Sequence, residues 1–197
     1  MNTPILHRCF VTAKAAILRA LSLINTSNPR ENFMATTALK GTPVNTNGDL
    51  PAVGSTVPTF TLSNVDLSDL TYGDLSGKRV IFNVFPSVDT PTCAQSVRTF
   101  NEEAGALENT VVVCVSQDLP FAMARFCGAE GLSNVVSASA FRSSFAEDFG
   151  LKLLDSKLAG LTARAIIVLD TDGKVLHTEL VPEIANEPDY AAAKAVL

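Results

Sequence analysis

The 197-residue sequence predicts an α/β fold, a mixed central sheet with helices on both faces and a β-hairpin at its N-terminal end. Three observations carry this. Two apolar runs, residues 79–85 (RVIFNVF) and Thr110–Ser116 (TVVVCVS), lack the alternation of a half-exposed strand and read as strands buried on both sides. Each is followed by a helical segment, residues 93–106 and 120–128. Near the end, Ala165–Leu169 and Val175–Leu180 flank Asp170 and Gly173 as an antiparallel hairpin. Strand, helix, strand, helix, strand, helix, hairpin and helix in that order make a mixed sheet covered on two sides.

Residues 1–33 stand apart. His7, Arg8, Lys14, Arg19 and Arg30 precede the first acid, Glu31, and Phe10, Ile17, Leu18, Leu21 and Ile24 recur at roughly helical spacing. This extension reads either as a targeting peptide or as an upstream leader with Met34 as the true start, disordered or loosely helical in both cases. The domain spans residues 36–197. Residues 38–44 with the Asn47-Gly48 pair read as a hairpin and its turn, because Asn-Gly tolerates positive φ. Phe60, Leu62 and Val65 mark a strand and the loop after it, and Tyr72–Leu75 is a short helical turn closed by Gly77. The helix over residues 93–106 sets Val97, Phe100 and Ala104 on one face and Arg98, Glu102 and Glu103 on another. Residues 120–128 form a helix entered through Pro120 and ended by Gly128. Residues 135–137 form a short strand, residues 143–149 a helix stopped by Gly150, and residues 188–197 the last helix. Phe82, Phe85 and Phe100 belong to the core. A thioredoxin-like fold matches this order most closely.

Composition narrows the function. The hydrophobic fraction, 47%, suffices for a core without disulfide staples. Net charge is −5, and Lys and Arg are scattered through the body of the chain, so no basic stripe marks a nucleic-acid partner. No apolar run approaches the ~20 residues of a membrane span. Cys9, Cys93, Cys114 and Cys127 lie too far apart for a zinc pattern or a dense disulfide framework. This points to a reducing, cytoplasmic compartment, with no metal and no cofactor. A cysteine hydrolase needs a histidine base, and His7 and His177 are the sole histidines, both poorly placed.

The chemistry concentrates in residues 82–100, FNVFPSVDTPTCAQSVRTF. A buried strand stops at Pro86, a polar turn follows, and Cys93 sits where a helix begins. Unpaired N–H groups at a helix start stabilise an anion, and hence a thiolate. One helix end contributes at best ~2 kcal/mol, so a second positive group is expected. Ser96 gives C-x-x-S, leaving no neighbouring cysteine to close a local disulfide. Cys114, inside VVVCV, reads as a small core hydrophobe, and Cys9 as incidental. Phe121, Met123 and Phe126 suit either an apolar approach to Cys93 or plain core.

Pro86, Thr90 and Cys93 spell P-x-x-x-T-x-x-C. Together with SVDTPTCA (87–94), SVRTFN (96–101), DLPFAMARFCGAEG (118–131) and LTARAIIVLD (161–170), this pattern resembles the thiol peroxidase branch of the peroxiredoxins, from about residue 36 to the end of the chain. The resemblance implies an atypical two-cysteine peroxiredoxin that reduces hydrogen peroxide and organic hydroperoxides. Cys93 would be the attacking thiolate and Arg164 its positive partner. Thr90 would orient the peroxide, and Pro86 would shape the turn and shield the sulfur. Cys127, 34 positions beyond Cys93, would resolve the sulfenic acid as an intramolecular disulfide. The resemblance also implies recycling by a thioredoxin-type reductant, and a homodimer. If the Cys93 and Cys127 Cα atoms lie beyond the ~7 Å limit of a disulfide, both helices must unwind locally. The competing readings are a thioredoxin-fold disulfide exchanger, which needs neither Thr90 nor Cys127, and a non-catalytic redox sensor.

Overall fold

The computed structural model describes residues 34–197, so the reading of residues 1–33 lies outside the described residues. The chain opens with β1 (Thr36–Leu39) and β2 (Thr42–Asn45), then β3 (Thr61–Asn64), β4 (Asp69–Thr71) and α1 (Tyr72–Leu75). The centre comprises β5 (Arg79–Val84), α2 (Pro91–Ala104), β6 (Thr110–Ser116), α3 (Pro120–Glu130) and β7 (Val136–Ser139). It ends with α4 (Phe145–Asp148), β8 (Ala165–Leu169), β9 (Val175–Leu180) and α5 (Tyr190–Lys194).

Seven strands form one mixed sheet in the order β4-β3-β7-β6-β5-β8-β9, and β1 and β2 form a separate two-stranded sheet. β5 runs parallel to β6 and β6 to β7, while β8 is antiparallel to β5 and β9 to β8. This is the thioredoxin-like arrangement. The central strands alternate between two buried faces, as continuous apolar runs require. Val80, Phe82 and Val84 of β5 join Phe60, Phe145 and Phe149 on one face, with Leu75 of α1. Ile81 and Phe85 join Val97 and Phe100 of α2, Met123 and Phe126 of α3 and Ala193 of α5 on the other.

Several boundaries differ from those expected. The hairpin turns at Lys40 and Gly41, not at Asn47-Gly48. Positive φ at both (53° and 77°) is the geometry of a type I′ turn. Asn47 instead donates from Nδ2 to the Glu147 carbonyl and accepts from the Lys152 N–H. β4 was not anticipated, since three residues carry too little periodicity to be read. Helix α2 begins at Pro91, two residues early, because proline suits a first-turn position whose N–H has no acceptor. Helix α3 runs past Gly128 to Glu130 and is capped by Gly131 at φ 68°. Strand β7 is displaced to Val136–Ser139, and α4 and α5 are shorter than expected. The Asp189 side chain caps α5 by accepting from the Ala192 N–H at 2.9 Å.

Candidate active site

The polar turn between β5 and α2 is fixed from two sides. Asp118, between β6 and α3, accepts from Ser87 Oγ at 2.8 Å and from the Val88 N–H at 2.7 Å. Pro91 and Thr92 then start α2, whose first intrahelical bond runs from the Ala94 N–H to the Thr90 carbonyl. The N–H groups of Thr92 and Cys93 therefore lack an intrahelical acceptor. Cys93 occupies the first turn and is fully buried. Beneath it, Ser96 Oγ donates to the Cys93 carbonyl and accepts from Asn83 Nδ2 near the C-terminal end of β5.

Two side chains converge on the Cys93 sulfur. Thr90 Oγ1 lies 2.8 Å from Sγ and 3.0 Å from the Ser87 carbonyl. Its single proton serves one of them at a time. When Cys93 is a thiolate, the hydroxyl donates to sulfur. When it is a thiol, the S–H can donate to Oγ1 while the hydroxyl turns to Ser87. Thr90 is the N-cap residue of α2, yet its side chain makes no capping bond; the hydroxyl faces the sulfur instead.

Arg164, at the entry to β8, is 1% exposed. Its Nη2 donates to Cys93 Sγ at 3.2 Å and its Nε to the Ile184 carbonyl at 2.8 Å, while the buried Nη1 has no partner among the described residues. None of the ion pairs among the described residues involves Arg164. A buried guanidinium without a counter-charge is costly, and Cys93 Sγ is the group in place to carry one. The free Nη1 N–H remains available to an incoming oxygen.

Cys93 opens onto a cavity of about 240 Å³ whose lining includes Pro86, Thr90, Arg164, Leu39, Leu158 and Leu161, with Ser87, Thr92, Ile184 and Ala185 completing the wall. The structure thus brings Pro86, Thr90, Cys93 and Arg164 together. Phe121, Met123 and Phe126 do not line this cavity. Phe121 is exposed, Met123 lies in the core, and Phe126 borders a separate open groove beside α2. The apolar wall comes instead from the hairpin and from residues 158–161 and 184–185. Apart from Leu161, the first residue of LTARAIIVLD, no motif marked these wall residues.

Cys127 lies in the last turns of α3, partly buried, with Sγ 3.1 Å from Ser137 Oγ of β7. Cys93, Cys114 and Cys127 are all free thiols, so this is the reduced arrangement. Each of Cys93 and Cys127 has its own set of partners. Cys114 is buried inside β6 with Asn83 Nδ2 3.6 Å away, and burial pushes its thiol up to about 12. Among the described residues, no three His, Cys, Asp or Glu side chains gather as a metal site, and no helix is long and apolar enough to cross a membrane.

The Redoxin family model matches residues 52–196. A thiol peroxidase of Mycobacterium tuberculosis is 58% identical over 164 residues, covering 83% of this chain and 99% of the relative. One from Corynebacterium glutamicum is 53% identical over the same shares. Among solved structures, a peroxiredoxin-like protein from Aquifex aeolicus superposes with a TM-score of 0.78 at 37% identity, covering 83% of this chain and 99% of its own. A thiol peroxidase from Chromobacterium violaceum shares the fold, with a TM-score of 0.76 at 21% identity over 81% of this chain and 93% of its own.

Proposed function

The chain belongs to the redoxin family, in its thiol peroxidase branch, and is a thiol-dependent peroxidase; from that premise we propose that Cys93 is the peroxidatic cysteine and Cys127 the resolving one. The observation that carries this reading is the buried Arg164 guanidinium, which has Cys93 Sγ beside it and, among the described residues, no carboxylate paired with it.

The Cys93 thiolate attacks the distal oxygen of R–O–OH along the O–O axis. The O–O bond breaks, ROH leaves after taking a proton, and Cys93 becomes a sulfenic acid. Thr90 holds the attacking sulfur and the entering oxygen in register. The free Arg164 Nη1 and the N–H groups of Thr92 and Cys93 stabilise charge as it moves onto the departing oxygen. Pro86, buried over the sulfur, keeps water from competing. The Cys127 thiol then attacks the sulfenic sulfur, water leaves, and a Cys93–Cys127 disulfide remains. A thioredoxin-type dithiol reduces it by exchange.

Leu39, Leu158, Leu161 and Ile184 on the wall suit organic hydroperoxides as well as hydrogen peroxide. The catalytic unit is residues 36–197, four widely separated cysteines suit a reducing cytoplasmic setting, and the family resemblance implies a homodimer. Cys93→Ser should abolish peroxide consumption with a thioredoxin system. Cys127→Ser should keep one stoichiometric oxidation and lose turnover. Unchanged turnover in Cys93→Ser would sink the reading, and mass analysis after one equivalent of peroxide should find Cys93 linked to Cys127.

A further inference from the structure

Arg164 takes its orientation from one backbone atom, the Ile184 carbonyl, which accepts from Nε at 2.8 Å. The segment bearing that carbonyl is held by a side chain outside the cavity. Glu183 accepts three backbone N–H groups on its carboxylate: Lys40 at 3.0 Å, Gly41 at 2.9 Å and Ala185 at 3.1 Å. Positive φ at both Lys40 and Gly41 aims their N–H groups at the same carboxylate. These three bonds, Gly41's foremost, hold the Glu183 carboxyl below the usual carboxylate range. The same segment is bound to the hairpin by the Ile184 N–H on the Ala38 carbonyl, and to α2 by Thr92 Oγ1 on the Ala185 carbonyl at 3.0 Å.

We propose that Glu183 is a positioning residue for the peroxidase reaction, clamping the hairpin turn to residues 183–185 so that the Ile184 carbonyl keeps Arg164 on the Cys93 sulfur. The proposal rests on the Cys93–Arg164 reading above. Glu183 touches neither sulfur nor cavity; it acts through Ile184. Two consequences follow from one clamp. Arg164 retains an acceptor for Nε and so a fixed direction for Nη1 and Nη2. Leu39 and Ile184, from the two clamped pieces, keep their places on the cavity wall. A small displacement of a charge-bearing group at a reacting centre costs far more in rate than in stability.

The test compares Glu183→Ala, Glu183→Gln and Thr37→Val. Thr37 Oγ1 also ties the hairpin to this segment, donating to the Val181 carbonyl at 2.7 Å, but leaves the clamp alone. Glu183→Ala should slow single-turnover oxidation of Cys93 by about 10- to 100-fold. It should also lower the neutral-pH 240 nm thiolate absorbance that Cys93→Ser removes. Glu183→Gln, which keeps one oxygen acceptor, should fall between. Thr37→Val should lower the melting temperature while its oxidation rate stays within about twofold, because the three Glu183 bonds and the Ile184 carbonyl on Arg164 Nε remain in place. Wild-type rate and absorbance in Glu183→Ala would overturn the proposal, as would an equal rate loss in Thr37→Val. If Glu183→Ala does not fold, Glu183→Gln against Thr37→Val decides by the same criteria. Persistent turnover in Cys93→Ser would instead remove the reading beneath it.

Discussion

Cys93 and Cys114 are both fully buried, and what surrounds each sulfur sets opposite chemistry. Cys93 faces a guanidinium and a hydroxyl. Cys114 sits between Asn83 of β5 and Ser137 of β7 with no cation beside its sulfur among the described residues, and burial pushes its thiol up to about 12. Its folded value therefore lies above the ordinary ~8.5 of an unfolded chain. Stability from this group is complete below about pH 8.5 and is lost as pH rises towards 12, because the unfolded chain ionises first. At pH 10 the loss amounts to about 2 kcal/mol for one group. Cys114→Val should remove that share. Urea unfolding at pH 7 and pH 10 should show a smaller decline in the variant than in the wild type, and equal declines would contradict it. Tyr190, also pushed up by burial, is common to both proteins and cancels. At this scale the sequence was informative where residues sit in one motif, as for Pro86, Thr90 and Cys93. Arg164 was legible only through family resemblance. Glu183, Ile184 and Leu39 were not legible, because they reach the site through backbone carbonyls and chain crossings that no side-chain pattern records.

Helix α3 carries Cys127 near its C-terminal end. It buries Pro120, Met123 and Phe126. Two surface ion pairs add to this: Arg98–Glu130 at 2.8 Å and Arg125–Asp89 at 2.8 Å. Exposed pairs of this kind contribute little, typically under about 1 kcal/mol each. Gly128 within the helix weakens it by about 1 kcal/mol relative to alanine. That same weakness misled the sequence-based boundary: a glycine there reads as a stop, whereas the stop is Gly131 at φ 68°. The strands behaved oppositely. β5, β6 and β8 were legible because long apolar runs leave few alternatives, while β4 gains its identity only by pairing with β3. If Cys127 must leave Ser137 to reach Cys93, α3 and the first turn of α2 should unwind on oxidation. Hydrogen exchange should then show protection lost at the amides of residues 94–97 and 122–130, which bond back into the unwinding turns, in the disulfide form while β5 and β6 stay protected. Equal protection in both forms would sink the unwinding step.

In the whole molecule the central sheet separates two duties. The face covered by α2, α3 and α5 carries both proposed redox cysteines, and the opposite face packs Phe60, Phe82, Phe145 and Phe149 against one another. Phe145 stacks on Phe149 at 4.2 Å between ring centroids and lies 5.5 Å from Phe82. Phe82 belongs to β5, the strand that leads into the Cys93 turn. Stability of the whole fold thus depends on the aromatic face, while the site's geometry depends on bonds made on the other side, at Asp118, Arg164 and the 183–185 segment. Phe145→Ala should therefore destabilise by about 3–5 kcal/mol, read as a lower urea midpoint with an unchanged slope. Oxidation of Cys93 in the fraction still folded should proceed within about threefold of wild type, since positioned reacting groups set that rate. The sheet transmits the loss as a shift in the folded population, because β5 is paired on both edges with β6 and β8 and cannot tilt alone. A rate per folded molecule that fell in step with the midpoint would show instead that the aromatic face tunes the site through β5, and the division of duties would be wrong.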